Sequence, residues 1–135
     1  MKSKACFTNI SLFALRLSIG AVFIVAGMMK FAMWSTPPEG MPAAMVMLMK
    51  FLSIAEPVGG IALILGVLTY WASLCLAIIM VGAVLIVKFV MGLGFFTAQG
   101  PGWCWPLVIL AACLVLMAVG GGEWSVDSKM RAKKK

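Results

Sequence analysis

Four long apolar stretches decide what this chain can fold into. They cover residues 12–33, 51–69, 71–92 and 103–121. A helix needs about 20 mostly apolar residues to cross the hydrocarbon core of a bilayer, which is about 30 Å thick. With 64% hydrophobic residues and a mean hydropathy of +1.12, the chain has more apolar surface than a soluble domain of its length can bury. The sequence therefore predicts an all-α integral membrane protein, a four-helix bundle that forms a single domain over residues 1–135.

The basic residues outside these stretches predict the orientation. Lys2 and Lys4 precede the first stretch, and five basic residues follow the last one: Lys129, Arg131, Lys133, Lys134 and Lys135. Four spans put both termini on one side, and the positive-inside rule makes that side cytoplasmic. We therefore expect a multi-pass protein of the inner (cytoplasmic) membrane, in contact with its lipids, with residues 35–50 and 93–102 outside. No nucleic-acid partner is expected, because the basic tail lacks interleaved aromatic residues.

A cleaved signal peptide is the alternative interpretation of the first stretch, since lysines precede it. Against it, the stretch is longer than a typical signal-peptide core, Arg16 interrupts it, and it has no A-x-A-like cleavage site. We therefore expect the stretch to be a spanning helix.

Three charged residues fall inside the apolar stretches near the expected outer surface: Lys30, Glu56 and Lys88. A lone charge in hydrocarbon costs at least about 2.5–3.5 kcal/mol on insertion scales, so these side chains should face the bundle interior or pair with one another. Two lysines and one glutamate leave a surplus positive charge, which would suit an anionic or strongly polar ligand or a partner's carboxylate. The three residues are therefore a candidate ligand-binding or buried ion-pair cluster.

Two structural alternatives stay open for this cluster. Ser53-x-x-Glu56 matches a capping box, in which the glutamate only satisfies backbone N–H groups at a helix start. The lysines could instead extend to the outer headgroups while their stems stay in the apolar layer. At the opposite end, Arg16 falls at the expected depth of Glu123 and Asp127. These three are expected to form an inner clamp that closes the bundle, with no catalytic role.

The composition argues against several kinds of chemistry. The chain has no histidine, so bis-histidine haem, zinc hydrolysis and a Ser-His-Asp triad are unsupported. No C-x-x-C pair is present, and the four cysteines are expected to be free structural thiols: Cys6, Cys75, Cys104 and Cys113. No metal site is expected. The alternative is Cu(I) held by the thioethers of Met41, Met45 and Met49, which recur every four residues.

Three motifs in order resemble those of the DoxX family of small membrane proteins. The first is R-x3-G-x2-F-x3-G-x2-K from Arg16 to Lys30, and the second is E-x2-G-G-x5-G-x2-T from Glu56 to Thr69. The third, G-x-G-x-x-S-x-D, ends at Asp127. The resemblance implies a four-helix membrane fold and these signature positions: Arg16, Gly20, Gly27, Lys30, Glu56, Gly60 and Asp127.

The resemblance also implies a functional context. Relatives are tied to quinol oxidation, to thiosulfate:quinone oxidoreductase and to responses against thiol or quinone stress. We therefore expect an accessory or ligand-binding subunit of a quinone-linked membrane redox system. Quinone is the candidate ligand. The expected partner is a larger membrane complex or further copies of the chain in a homo-oligomer. One alternative is a quinone-binding oxidoreductase subunit in which Lys30, Glu56 and Lys88 polarise the carbonyls. The other is a structural subunit that docks to a larger membrane complex.

Overall fold

Helices account for most of the chain in the computed structural model, which describes residues 2–98 and 100–133. Lys134 and Lys135, which contribute to the expected orientation, lie outside the described residues. The helices are α1 (Lys2–Phe31), α2 (Ala43–Leu65), α3 (Thr69–Leu85), α4 (Cys104–Val119) and α5 (Val126–Ala132). A 3₁₀ turn, Ala32–Trp34, follows α1, and a π-helical segment, Ile86–Val90, continues α3. Before α4, β1 (Phe96–Thr97) pairs antiparallel with β2 (Gly100–Pro101).

Three of the helical segments are long and apolar enough to cross a membrane: Lys4–Trp34, Ala43–Leu65 and Thr69–Val90. The fourth apolar helix, α4, has 16 residues and is therefore about 24 Å long at about 1.5 Å per residue. It is shorter than the expected span of residues 103–121 because Gly120, with a φ of +82°, ends it. The chain is a helical membrane protein, and its last apolar helix falls short of the usual hydrocarbon thickness.

The second helix differs from the expectation at both ends. Residues 43–50, which fall in the segment expected outside the membrane, are the start of one continuous helix that contains Pro57. That ring is accommodated because Gly27 of α1 lies against it, where any side chain would collide with the ring. The turn to α3 occupies residues 66–68, within the predicted second stretch of residues 51–69, because Gly66 takes the left-handed conformation (φ +68°) that ends α2.

The helices pack in two pairs, α1 along α2 and α3 along α4, with smaller α2–α3 and α1–α4 interfaces between the pairs. Side chains from all four helices meet in the core, where Phe23, Leu63, Leu76, Cys113 and Leu116 are almost fully buried. One end of the molecule, called here the terminal end, holds the start of α1, the α2–α3 turn, the end of α4 and α5. The opposite end, the loop end, holds residues 32–42, 91–98 and 100–103.

The outward surface is unlike that of a soluble protein. The outward faces of the helices carry large exposed apolar side chains, including Val25, Met29, Ile61, Ile78 and Val108. Besides its apolar core, the interior also holds polar and charged groups: Arg16, Ser53, Glu56, Thr69, Ser73 and Ser125. A soluble domain would place the apolar side chains inside and leave such charges in water. Lipid is therefore the solvent of the outward faces.

Candidate functional site

A buried ion pair joins α1 and α2 toward the loop end. The Lys30 Nζ in the last turn of α1 donates to the Glu56 Oε2 at 2.5 Å and to the Ala26 carbonyl at 3.4 Å. The side chain of Glu56 is 2% exposed and that of Lys30 is 20% exposed. Among the residues that the structure describes, this is the only salt bridge. The pair therefore links two helices inside an apolar environment.

Ser53 lies one turn before Glu56 on α2 and forms hydrogen bonds next to the ion pair. Its Oγ accepts a hydrogen bond from the Trp34 Nε1 at 3.0 Å and donates to the Lys50 carbonyl at 2.6 Å. The capping-box interpretation of Ser53 and Glu56 is wrong, because α2 begins at Ala43 and both residues lie inside the helix. A helix interior has no unpaired N–H groups for these side chains to satisfy. The carboxylate of Glu56 instead accepts the hydrogen bond from the Lys30 ammonium group.

A small crevice of about 10 Å³ lies beside Lys30 at the loop end. This is room for about one water molecule. Its lining includes Met33, Met41, Met49 and Lys50. Of the three methionines in the expected copper alternative, Met45 does not line this crevice. The two lysine ammonium groups there disfavour a bound cation by electrostatic repulsion.

Lys88 does not join the pair. It is exposed and lies in the π-helical segment, where the Met91 N–H bonds the Ile86 carbonyl at 2.9 Å. The Lys88 Nζ lies 5.0 Å from the centre of the Trp103 ring and 5.1 Å from that of Phe89, which are cation–π distances. The extra residue in a π turn shifts side-chain directions from those of a regular helix. Depth along the helix therefore does not predict where Lys88 points.

At the terminal end, Arg16 binds backbone carbonyls instead of carboxylates. The side chain is fully buried, its Nη2 donates to the Trp124 carbonyl at 3.1 Å, and its Nη1 donates to the Ile64 carbonyl at 3.4 Å. Gly66 leaves the space for the guanidinium, because a Cβ there would collide with it. No carboxylate lies within ion-pair distance of Arg16 in the described parts of the chain. Arg16 thus ties α1 to the end of α2 and to the segment before α5.

The two acids of the expected clamp also bind other groups. Both Asp127 oxygens accept backbone N–H groups at the start of α3, from Leu68 at 2.8 Å and Thr69 at 2.7 Å. Leu68 has a φ of +48°, so the Asp127 carboxylate holds a strained backbone in place. The Glu123 Oε2 accepts from the Asn9 Nδ2 at 2.8 Å. The three residues of the expected clamp therefore do not pair with one another. Arg16 and Asp127 bind backbone groups, and Glu123 binds the side-chain amide of Asn9.

Partial burial alone would raise the pKa of Asp127, but hydrogen bonds from Thr69 and the Leu68 amide, with the charge of Arg131, hold that pKa below its ordinary value. A lowered folded-state pKa stabilises the fold above the ordinary value of about 3.9, and the stabilisation is lost as the pH falls through the folded value.

We expect Asp127→Asn to lower the unfolding free energy at pH 7 by about 1 kcal/mol, as for the loss of a helix cap. The difference from the parent protein should shrink below about pH 4. Thermal unfolding in detergent across this pH range measures both effects. Glu123→Gln, a change to the exposed acid nearby, is the matched control and should cost less. A cost for Asp127→Asn that stays constant into acid would contradict the charged cap.

The four cysteines are free thiols in the structure, with Cys6 and Cys75 exposed and Cys104 and Cys113 buried. The described residues contain no group of three or more His, Cys, Asp or Glu side chains that could hold a metal ion.

Sequence reasoning did not anticipate the Trp34–Ser53 and Asn9–Glu123 hydrogen bonds or the α5 helix. The S-x-D spacing at the start of α5 is a usable signal for that helix, because Ser125 caps it by accepting the Ser128 N–H at 3.2 Å and Asp127 lies in its first turn.

The family comparison covers the part of the chain that holds the ion pair. The DoxX family model matches residues 11–89, which is more than half of the chain. The matched segment includes Arg16, Lys30, Glu56 and Lys88, and it ends before α4 and Asp127. No curated protein and no solved structure matches the chain.

Proposed function

The chain belongs to the DoxX family, and from that premise we propose that it is an accessory, ligand-binding subunit of a quinone-linked membrane redox system. The observation that carries the ligand-binding part is the buried Lys30–Glu56 pair. The redox context rests on the family resemblance.

The pair is difficult to explain by stability alone. Replacing a buried ion pair by well-packed apolar residues is often neutral or stabilising, so an ion pair is weak evidence for a stabilising role. Ionisable residues inside membrane segments mark functional sites by default. A lysine ammonium has three N–H donors, and two of those of Lys30 are engaged, by Glu56 and Ala26. The third donor can bind a ligand oxygen such as a quinone carbonyl.

The size of the crevice favours an accessory role over a self-contained quinone enzyme. A crevice of about 10 Å³ beside Lys30 does not admit a quinone ring. Lys30, at 20% exposure, would meet a carbonyl oxygen at the edge of the protein, with the ring in lipid or in a groove of a partner subunit. The competing candidate is a structural subunit, which is supported by the apolar outward faces of all four long helices.

The test measures which quinone and which proteins stay bound when the protein is extracted in its native lipid. Tagged protein is extracted with its surrounding membrane into polymer nanodiscs, and quinone and co-purifying proteins are quantified per folded protein. We expect quinone and a larger membrane complex with the parent chain, and several-fold less quinone per folded protein with Lys30→Met, which removes the donor. Lys88→Met, which makes the same change in a lysine outside the pair, is the matched control and should leave quinone unchanged. Equal quinone in parent and Lys30→Met protein would refute ligand binding at the pair, and a retained complex would then support the structural subunit.

We further propose that all four long helices cross the inner membrane as a bundle with both termini in the cytoplasm. The basic residues of the described part of α5 and its flank, Lys129, Arg131 and Lys133, support this orientation through the positive-inside rule. The short helix α4 is compatible with crossing, because local thinning of the bilayer accommodates such a mismatch at a modest cost.

Orientation is testable by thiol labelling in intact cells, after the native cysteines are replaced by alanine. Glu39→Cys should react with a membrane-impermeant reagent, because residue 39 is exposed at the loop end. Lys133→Cys should react only after the membrane is permeabilised. Position 39 is preferred to Gly40, whose φ of +82° disfavours any side chain. The opposite labelling pattern would reverse the proposed orientation.

A further inference from the structure

The crevice beside Lys30 brings thioether and ammonium groups together at the loop end. Its lining includes two lysines and three methionines: Lys30, Lys50, Met33, Met41 and Met49. These side chains come from the end of α1, the 3₁₀ turn, the loop before α2 and the first two turns of α2. This group of five residues is called here the methionine crevice. The ion pair uses Lys30 alone among them, so the convergence of the other four is left to explain.

The methionine crevice is too small for a quinone ring, but it has room for one more oxygen atom. Its volume is about 10 Å³, which is room for about one water molecule. It opens at the protein surface, because Met33, Pro37 and Pro38 in its lining are exposed. A small oxidant such as hydrogen peroxide can therefore reach a thioether there from solvent.

The two lysines supply hydrogen-bond donors to this space. Lys30 has three N–H donors and uses two of them, on Glu56 and Ala26, so one remains. The Lys50 Nζ lies 5.8 Å from the centre of the Trp34 ring, a cation–π distance. A thioether sulfur is only a weak acceptor for such donors. Oxidation of a methionine to the sulfoxide makes the side chain polar, and its new oxygen is an acceptor that these donors lack.

We propose that the methionine crevice is an oxidation site, where a peroxide converts one thioether to a sulfoxide whose oxygen is held by Lys30. The sulfur lone pair attacks one peroxide oxygen, the S–O bond forms and the O–O bond breaks. The departing hydroxide takes the proton from the oxygen on sulfur and leaves as water. The sulfur thus loses two electrons and the peroxide gains them.

The ammonium groups favour this reaction at two points. They stabilise the negative charge that develops on the departing oxygen, and they bind the sulfoxide oxygen once it has formed. That oxygen fills the crevice and occupies the third donor of Lys30. The proposal does not depend on a bound quinone.

Rates of oxidation at individual methionines test the proposal. The folded parent protein in mild detergent is treated with hydrogen peroxide, and fragment mass spectrometry follows each methionine with time. Met47 and Met91, at 74% and 60% exposure, lie outside the crevice, whereas Met33 in its lining is 36% exposed. At least one methionine of the crevice should react about threefold faster than Met47 and Met91, because of the ammonium groups. Rates that follow exposure alone, with Met47 and Met91 first, would overturn the proposal.

Lys50→Gln tests the contribution of an ammonium group while leaving the Lys30–Glu56 pair in place. It should slow oxidation in the crevice about threefold and leave Met47 and Met91 unchanged. Lys88→Gln is the matched control, because Lys88 is exposed near the loop end but does not line the crevice. It should change none of these rates. If Lys50→Gln has no effect, or if Lys88→Gln slows the crevice equally, the ammonium groups do not assist oxidation and the site is refuted.

The melting temperature after oxidation tests whether the crevice holds the new oxygen. The comparison is a protein in which Met33, Met41 and Met49 are all replaced by leucine, a substitution that nearly conserves volume. Sulfoxides ordinarily disrupt apolar packing. Because the crevice offers donors, peroxide should change the melting temperature of the parent no more than that of the leucine variant. A fall in the parent that the leucine variant lacks would show that the oxygen is not accommodated, and the held sulfoxide would be wrong.

Discussion

Lys30→Met is expected to lower the free energy of unfolding by about 3–5 kcal/mol, because it leaves the Glu56 carboxylate buried at 2% exposure without its partner. Glu56→Gln should be less costly, because Lys30 is 20% exposed and its ammonium can extend to the interface. The double variant should recover part of the loss, since no unpaired charge is left inside. Reversible unfolding in lipid-detergent micelles gives all three values and hence the coupling energy.

Lys88→Met is the control for this cycle, since it makes the same chemical change in an exposed lysine without a carboxylate partner. Its cost should stay within about 0.5 kcal/mol, as for ordinary surface changes. Strictly additive costs for the Lys30 and Glu56 changes would show that the two side chains do not interact in the folded protein. A Glu56→Gln protein of unchanged stability that has lost quinone would instead assign the carboxylate wholly to the ligand.

Gly60→Ala is expected to separate α1 from α2 and to lower the unfolding free energy by about 1–3 kcal/mol or more. Gly20 and Gly60 face each other, and a Cβ on either one would lie 2.6 Å from the backbone oxygen of the other. A backbone oxygen cannot move aside unless its helix moves. The melting temperature in detergent should fall, and the Lys30–Glu56 pair on the same interface should weaken with it. The coupling energy measured in the Gly60→Ala background reports the second effect.

Gly82→Ala is the matched control, because position 82 lies in α3 and a Cβ there meets nothing within 4 Å. It should be neutral or slightly stabilising, since alanine favours a helix over glycine by up to about 1 kcal/mol. Equal losses for both substitutions would assign the Gly60 effect to local helix properties and not to the contact between α1 and α2.

Sequence alone was sufficient for the properties that depend on position along the chain. The apolar stretches predict membrane helices because the number of apolar residues sets how much hydrocarbon a helix can cross. Three of them are long and apolar enough in the structure. Gly120 ends α4, close to the predicted end of the last apolar stretch at residue 121. The motifs from Arg16 to Thr69 identify the family, and the family match over residues 11–89 confirms it. Lys30 and Glu56 share one depth, which can be counted in residues from the helix ends.

Tertiary structure decided how the helices are rotated and which groups their polar side chains meet. Lys88 shares the expected depth of Lys30, yet a π turn directs it to Trp103 and not to Glu56. Arg16 and Asp127 lie at one end but do not form a salt bridge. Arg16 instead binds the carbonyls of Ile64 and Trp124, and Asp127 binds the amides of Leu68 and Thr69. A residue count gives height along a helix at about 1.5 Å per residue. The direction of a side chain depends on the packing of neighbouring helices, here on glycines that let α1 and α2 touch, and no single segment contains that information.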